Sequence, residues 1–303
     1  MFIRVMTHLV VQPGSLKKIL NHVDPMELPT EVLMVEPTYF SVDYVINPHM
    51  EGNIGKVDKK LARQQWEFVR DTFVETGMNL NVIEAQSDLP DMVFSANQSL
   101  PFVSKRGNRE VIMSIMNSEH RKGEVPYFEQ WYRQKGFLVH HLDHRTIESF
   151  EGMGDAIWHP GKRLLWGGYG YRTSKSAYEQ ISSRFNIPVV ILELNHPSFY
   201  HLDTCFCPLD EDTVMIYPDA FTENSLKMIR EGFKNIIEAD QNEAENLFCC
   251  NACCPDGKTV IIHPGADKVG DQMSKAGYKI VEADTGEFLK SGGSVFCMKL
   301  LHW

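Results

Sequence analysis

From Val32 onward the chain alternates short apolar runs with glycine, proline and acidic turns. Val32-Leu33-Met34-Val35-Glu36-Pro37 reads as a buried strand stopped by proline. Over residues 56–76, Leu61, Trp66, Val69 and Phe73 fall near one face and Gly77 follows, which predicts an amphipathic helix and then a short strand at 80–84. Residues 91–98 open as a strand and end in polar side chains, the layout of a site at a strand's end. Further strands are predicted at 111–115, 137–141, 164–166, 189–194, 248–254, 259–263, 278–282 and 295–300. An aromatic helix carrying Phe128, Trp131 and Tyr132 closes at Gly136. Ser174 caps a second helix, whose Ala177, Ile181 and Phe185 recur at spacing four, and a third covers 223–234. Asp210-Glu211-Asp212 turns a strand opened by 201–206 back onto one at 214–217.

About a dozen short strands interleaved with helices at intervals of roughly 50 residues, without a clear sequence repeat, lie between ordinary α/β units and a repeat architecture. No low-complexity linker divides the chain. One domain is therefore expected over 32–303, after an N-terminal extension at 1–31.

Composition narrows the class. The 303 residues are 43% hydrophobic and 23% charged, as in an ordinary soluble protein. A formal charge of -10 argues against nucleic acid or an acidic membrane as partner and suits a cationic small substrate. No apolar run approaches the roughly 20 residues that cross a bilayer. Seven cysteines, four of them inside 249–254, do not make a spaced disulfide scaffold and point to a reducing, cytoplasmic setting. The first twenty residues hold Arg4, Lys17 and Lys18 and no acid, a weak mitochondrial cue. CxxC-like spacing in the cluster suggests zinc. Adjacent strand residues point to opposite faces, however, so the cluster is read as small hydrophobes of a packed strand with no metal bound.

Candidate chemistry collects at strand ends. Cys297 follows Gly292-Gly293 in a short apolar run, a frame suited to a reactive thiol, and a buried strand cysteine is the alternative. His201 can shuttle protons, or serve as a hydrogen-bonded structural histidine. Asp91, Glu151, Asp155 and Asp203 can hold a cation, or occupy turns. A thiolate, an imidazole and carboxylates are together the parts needed to attack a guanidinium carbon.

Phe94-Ser95-Ala96-Asn97, Glu151-Gly152-Met153-Gly154-Asp155, Gly170-Tyr171-Arg172-Thr173, His201-Leu202-Asp203-Thr204 and Gly292-Gly293-Ser294-Val295-Phe296-Cys297-Met298, in this order, resemble the guanidino-group-modifying superfamily. Its members include arginine deiminases, dimethylarginine dimethylaminohydrolases, amidinotransferases and arginine dihydrolases. The resemblance implies an α/β pentein fold, a single-domain propeller of five ββαβ-type modules with the site in its central channel. It implies Cys297 as nucleophile, His201 as general acid and base, and Glu151 orienting the imidazole. Asp91, Asp203 or both would hold the guanidinium, Arg121 and Arg172 the substrate carboxylate, and Asn47 the amino-acid head group. Asp155 either supports the architecture or touches the chemistry.

Asn97 separates the subfamilies, because deiminases and dimethylargininases typically carry aspartate there and the dihydrolase type carries asparagine after alanine. Tyr44-Val45-Ile46-Asn47-Pro48 also looks like the dihydrolase signature, with His49 where a tryptophan is usual. The resemblance thus implies arginine dihydrolase activity giving ornithine, ammonia and carbon dioxide, without cofactor or metal. The alternatives are a deiminase, a dimethylargininase, an amidinotransferase, or a catalytically silent binding protein on the same fold. A homo-oligomer stays open.

Overall fold

A computed structural model describes residues 9, 10, 12–14 and 16–303. Among these, five separate small sheets follow a shared plan. An antiparallel pair comes first, and a helix then carries the chain to a third strand lying parallel to the second, as parallel pairing requires a crossover. In one sheet Ser99–Val103 pairs antiparallel with Arg109–Met113, and helix Val125–Gln134 leads to the parallel Leu138–His141. The next runs Ala156–Trp158, Leu165–Tyr169, helix Lys175–Phe185, Val189–Glu193. The third runs Phe206–Pro208, Thr213–Ile216, helix Glu223–Gly232, Asn235–Glu238. In the fourth, Thr259–Ile262 and Lys279–Glu282 flank helix Asp267–Lys275, and a single antiparallel bridge from Cys253 to Ile261 replaces the first strand. In the fifth, Leu300–His302 lies antiparallel to Glu31–Val35, and Asn79–Ile83 lies parallel to Glu31–Val35 across helix Lys59–Glu75.

Burial follows the plan. First and second strands are largely buried, whereas Leu138–His141 and Lys279–Glu282 are partly exposed edges. Val189–Glu193 is apolar because its edge is covered: Leu9–Val10 pairs in parallel with it, and helix Leu16–Leu20 packs on helix Glu223–Gly232.

The placing of the site follows from the turns before each first strand. Short helical turns at Pro90–Val93, Gly152–Asp155, Leu202–Thr204 and Cys249–Asn251 precede Ser99, Ala156, Phe206 and Cys253, and the 294–299 turn precedes Leu300. These turns carry the chemistry-bearing residues.

Several expectations change. Residues 91–93 form a 3-10 turn rather than a strand, as do 249–251, and 295–299 is a turn with the strand starting at Leu300. In each case apolar side chains are buried by a compact turn, which a short apolar run does not distinguish from a strand. Leu61 is 38% exposed, and Ala62 and Gln65 take the inward face beside Trp66, Val69 and Phe73. Gln65 is buried because Asp284 and the Glu287 N–H satisfy its amide. Ser174 stands at the N-cap position of its helix without a side-chain capping bond.

Candidate active site

Cys297 sits in the last of these turns, 4% exposed, on a small cavity that it shares with His201, Asp91, Asn97, Arg121, Arg172 and Asn47. Its Sγ lies 3.2 Å from Asp203 Oδ2 and accepts from Asn251 Nδ2 at 3.2 Å. Burial, then the Asp203 charge, push the thiol well above its ordinary value, opposed by the Asn251 donor. Burial also raises Asp203 to about 7 against the hydrogen bond from Cys297. Thiol and carboxyl therefore hold a proton between them. Asp203 Oδ1 has no hydrogen-bond partner among the described residues.

Opposite this pair, His201 Nε2 meets Glu151 Oε2 at 2.6 Å. Glu151 is fully buried, yet the hydrogen bond and charge of His201, with Arg172 and Arg121 behind them, overcome desolvation and hold it down at about 2. Its other oxygen accepts from the Asn117 N–H at 2.9 Å. The Glu151 carboxylate is thus fixed on both oxygens, one of them against the His201 ring. Asp155 accepts from the Thr173 hydroxyl at 2.7 Å and from the Leu202 N–H at 2.9 Å, which fastens the backbone beside His201. Burial raises Asp155 to about 6.

The remaining expected residues surround the cavity mouth. Asp91 accepts from Tyr44 at 2.8 Å and Ser291 at 2.9 Å, and burial raises it against Arg121. Arg172 donates to Ile46 O at 2.7 Å, lies 3.4 Å from Glu151, and stacks 5.0 Å from the Tyr200 ring. Asn47 donates to Ser291 O at 3.1 Å and caps the turn Pro48–Met50. His49 bonds Ser198 O at 2.9 Å and lies edge-on to Phe248. Arg121 is more heavily engaged: Nε and Nη2 bind Glu124, Nη2 also reaches Asp91 O and Phe94 O, and Nη1 donates to Asn97 Oδ1 at 2.8 Å. Glu124 itself is lifted by burial to about 7 despite this arginine. Asn97 Nδ2 stays without a partner among the described residues.

Two glycines make the approach possible. A Cβ on Gly292, whose φ is +81°, would lie 2.7 Å from the Tyr200 hydroxyl and 2.8 Å from Asn47 Oδ1. A Cβ on Gly154 would overlap Asn97 Nδ2.

Asn251, Glu124, Tyr200 and Ser291 are not among the residues the sequence points to, and Tyr44 enters there only as part of the motif Tyr44-Val45-Ile46-Asn47-Pro48. Asn251 uses its whole amide: Nδ2 donates to Cys297 Sγ and Asp203 O, and Oδ1 accepts from Ser294 N at 2.9 Å and Cys297 N at 3.3 Å. A polar residue inside the run Phe248-Cys249-Cys250-Asn251-Ala252 was the available signal. The cysteines around it are unpaired, and among the described residues no cluster of three or more His, Cys, Asp or Glu is arranged to hold a metal.

The thiol of Cys297 and the Glu151-bound imidazole of His201 line one cavity, and the comparisons assign the chain to the guanidino-group C–N hydrolases of pentein type. The family model described as N,N dimethylarginine dimethylhydrolase, eukaryotic, matches residues 37–301, and the chain belongs to that family. It is 37% identical over 89% of its length to the uncharacterized protein ZK1307.1 of Caenorhabditis elegans, covering 92% of that protein. It is 36% identical to the bifunctional arginine dihydrolase/ornithine cyclodeaminase ArgZ of Synechocystis sp., over 89% of this chain but only 37% of that longer protein. It is 34% identical to the N(G),N(G)-dimethylarginine dimethylaminohydrolase of Mycobacterium tuberculosis, over 88% of this chain and 84% of that one. Among solved structures, the substrate-bound N-terminal domain of the cyanobacterial ArgZ superposes with a TM-score of 0.83 at 34% identity, over 92% of this chain and 98% of that one. Among the described residues no helix is long and apolar enough to cross a membrane.

Proposed function

We propose that this chain is an arginine dihydrolase, converting arginine to ornithine, two ammonia molecules and carbon dioxide. The observation that carries this reading is the Asn97 amide, whose oxygen is occupied by Arg121 and whose nitrogen has no partner among the described residues on the cavity wall. A neutral amide suits both a cationic guanidinium and the neutral ureido group that follows it.

In the first cycle the guanidinium enters beside Asp203 and Asp91, and its charge favours ionisation of the Asp203–Cys297 pair. The Cys297 sulfur attacks the central carbon, forming the C–S bond. His201 passes a proton to the departing nitrogen as the C–N bond breaks and ammonia leaves. Water, relieved of a proton by the same imidazole, adds to the thiouronium carbon, and cleavage of the C–S bond returns the thiolate and leaves citrulline. The second cycle treats the ureido carbon in the same way, and the carbamate released from the sulfur loses carbon dioxide to leave ornithine. Glu151 orients the imidazole. Arg172, the remaining Nη1 hydrogen of Arg121 and Asn47 receive the amino-acid head group, and Asp155 acts through the backbone beside His201.

In this reading the five sheets are the modules of a propeller around the site, 32–303 is the catalytic domain and 1–31 an extension. The seven unpaired cysteines support a cytoplasmic setting.

The test is one assay resolving ammonia, citrulline, ornithine and dimethylamine. Purified protein given arginine should release about two ammonia molecules per ornithine formed, and added citrulline should also yield ornithine. Arrest at citrulline, or faster release of dimethylamine from dimethylarginine than of ammonia from arginine, refutes the dihydrolase reading. Loss of all turnover in Cys297→Ser, with the fold intact by circular dichroism, is expected in either case.

A further inference from the structure

The turn 296–299 separates two spaces. Cys297 lines the cavity described above, while Phe296 and Lys299 line a second, larger cleft of about 1000 Å³, part of it open to solvent. Its walls include Met153, Ile157 and Trp158, and its floor includes Cys207 and Cys253. Leu28 stands at its rim, 39% exposed. Nothing in the guanidino chemistry uses this cleft.

Lys299 is the anomaly within it. The side chain is 0% exposed, and its Nζ has no hydrogen-bond partner among the described residues. The amine rests 2.9 Å from the centroid of the Phe296 ring, a contact that offsets only part of the cost of removing a lysine head from water. Burial accordingly lowers its pKa, against the attraction of Cys253, Asp203 and Cys207. Carboxylates at the rim do not reach it as partners: Asp210 is held by the Tyr278 hydroxyl and Glu211 by Lys162. A buried amine with donors to spare, in a mostly apolar cleft open to solvent, has the form of a ligand site with one fixed polar anchor.

We propose that this cleft is a second binding site, for a small organic acid whose apolar body lies against Met153, Ile157 and Trp158 and whose carboxylate meets the Lys299 amine. A carboxylate supplies what the amine lacks, an acceptor with matching charge, and the charge-assisted hydrogen bond forms where water is largely excluded. A neutral ligand of the same shape gains only the apolar contacts.

The experiment is calorimetric titration of the intact protein with 4-phenylbutyrate and with its neutral analogue 4-phenylbutan-1-ol. The acid should bind one per chain and at least tenfold more tightly than the alcohol. Lys299→Met, which keeps length and removes the amine, should abolish that preference while the alcohol still binds. Leu28→Glu, at the rim and away from the catalytic cavity, should weaken the acid at least threefold and the alcohol less. If Lys299→Met does not fold, Leu28→Glu decides the question. The proposal is overturned if acid and alcohol bind equally, if no saturable binding occurs, if the preference survives Lys299→Met, or if Leu28→Glu leaves the acid's affinity unchanged.

Discussion

Asn97→Asp is the substitution that most directly separates one hydrolysis from two. In the wild type the side-chain oxygen is held by Arg121 Nη1 at 2.8 Å, so the substitution puts a second oxygen where the buried, unpartnered Nδ2 now stands beside Gly154. For arginine, a carboxylate about 4 Å from the guanidinium is worth about 4 kcal/mol at an effective dielectric near 20. Arg121 neutralises part of that charge, and Asp91 and Asp203 already compete for the cation, so about half is a reasonable lower bound. For citrulline the attraction is absent, and the lost amide donor leaves the ureido oxygen short of a hydrogen bond, about 1–3 kcal/mol further. The two effects add to about 3–7 kcal/mol, so the ratio of kcat/KM for citrulline to that for arginine should fall by about a hundredfold or more, at 1.4 kcal/mol per factor of ten. Initial rates with each substrate alone, ornithine being quantified from citrulline and ammonia from arginine, measure that ratio. A variant whose ratio stays within threefold of the parent refutes the role given to the amide.

Three further outcomes are expected. Asn251→Leu removes the donor to the Cys297 sulfur and leaves two backbone N–H groups unpaired, so it should cost about 2–3 kcal/mol in urea unfolding and move thiol alkylation by iodoacetamide to higher pH; unchanged alkylation would limit Asn251 to packing. Arg172→Lys should raise KM for arginine about tenfold or more, because lysine cannot reproduce the fork that meets a carboxylate, whereas agmatine, which is arginine without its carboxylate, should be a poor substrate for parent and variant alike; equal losses on both substrates would assign Arg172 to holding Glu151. Asp203→Asn should stabilise the free enzyme at pH 8: the folded value of about 7 lies above the unfolded one, so the protonated carboxyl's stabilising contribution is complete below about pH 4 and lost as pH rises through 7. On the order of 1–4 kcal/mol separates variant and parent at pH 8, and a variant whose stability falls from pH 5 to pH 8 as steeply as the parent's contradicts the shift.

The helices and most hairpin strands could be read from periodicity, since Val125–Gln134 and Lys175–Phe185 bury residues at helical spacing and the chain turns back through Asp210 as expected, although the strand expected from His201 begins only at Phe206, after a 3-10 turn at Leu202–Thr204. The turns could not. Short apolar stretches such as 91–94, 249–253 and 295–298 bury their side chains without extended pairing, and nothing local in the sequence distinguishes the two outcomes. That error hid Asn251. Within an expected strand 248–254 it carries no chemistry, but before the Cys253–Ile261 bridge it takes the place that Asn97, Asp155, Asp203 and Cys297 take before their own first strands. The partner of Arg121 was also legible in hindsight, as Glu124 stands three residues on. Burial decides that pairing, and burial is a tertiary fact.

The charges of the site make a pattern that only a particular ligand completes. Five acids are buried around it, Asp91, Glu124, Glu151, Asp155 and Asp203, against two arginines, one histidine and the amine of Lys299, whose field reaches Asp203. Glu124 takes Arg121 in a bidentate pair, and Glu151 takes His201 with Arg172 alongside. Asp155 is satisfied by neutral donors. What remains is Asp203, lifted toward neutrality by burial and bearing a free oxygen beside the thiol, and Arg172, whose guanidinium is shared rather than saturated. A zwitterionic amino acid with a cationic tail has the complementary arrangement, positive where Asp203 lacks a partner and negative where Arg172 has a donor to give. On the proposed mechanism, activation of Cys297 is tied to the same complement: burial and Asp203 favour the neutral thiol, so a bound cation is what would shift it toward thiolate. A neutral ureido group brings no such charge, and the second hydrolysis must then rely more on the Asn251 donor and the His201 base. That step should accordingly be slower than the first, and more sensitive to the loss of Asn251.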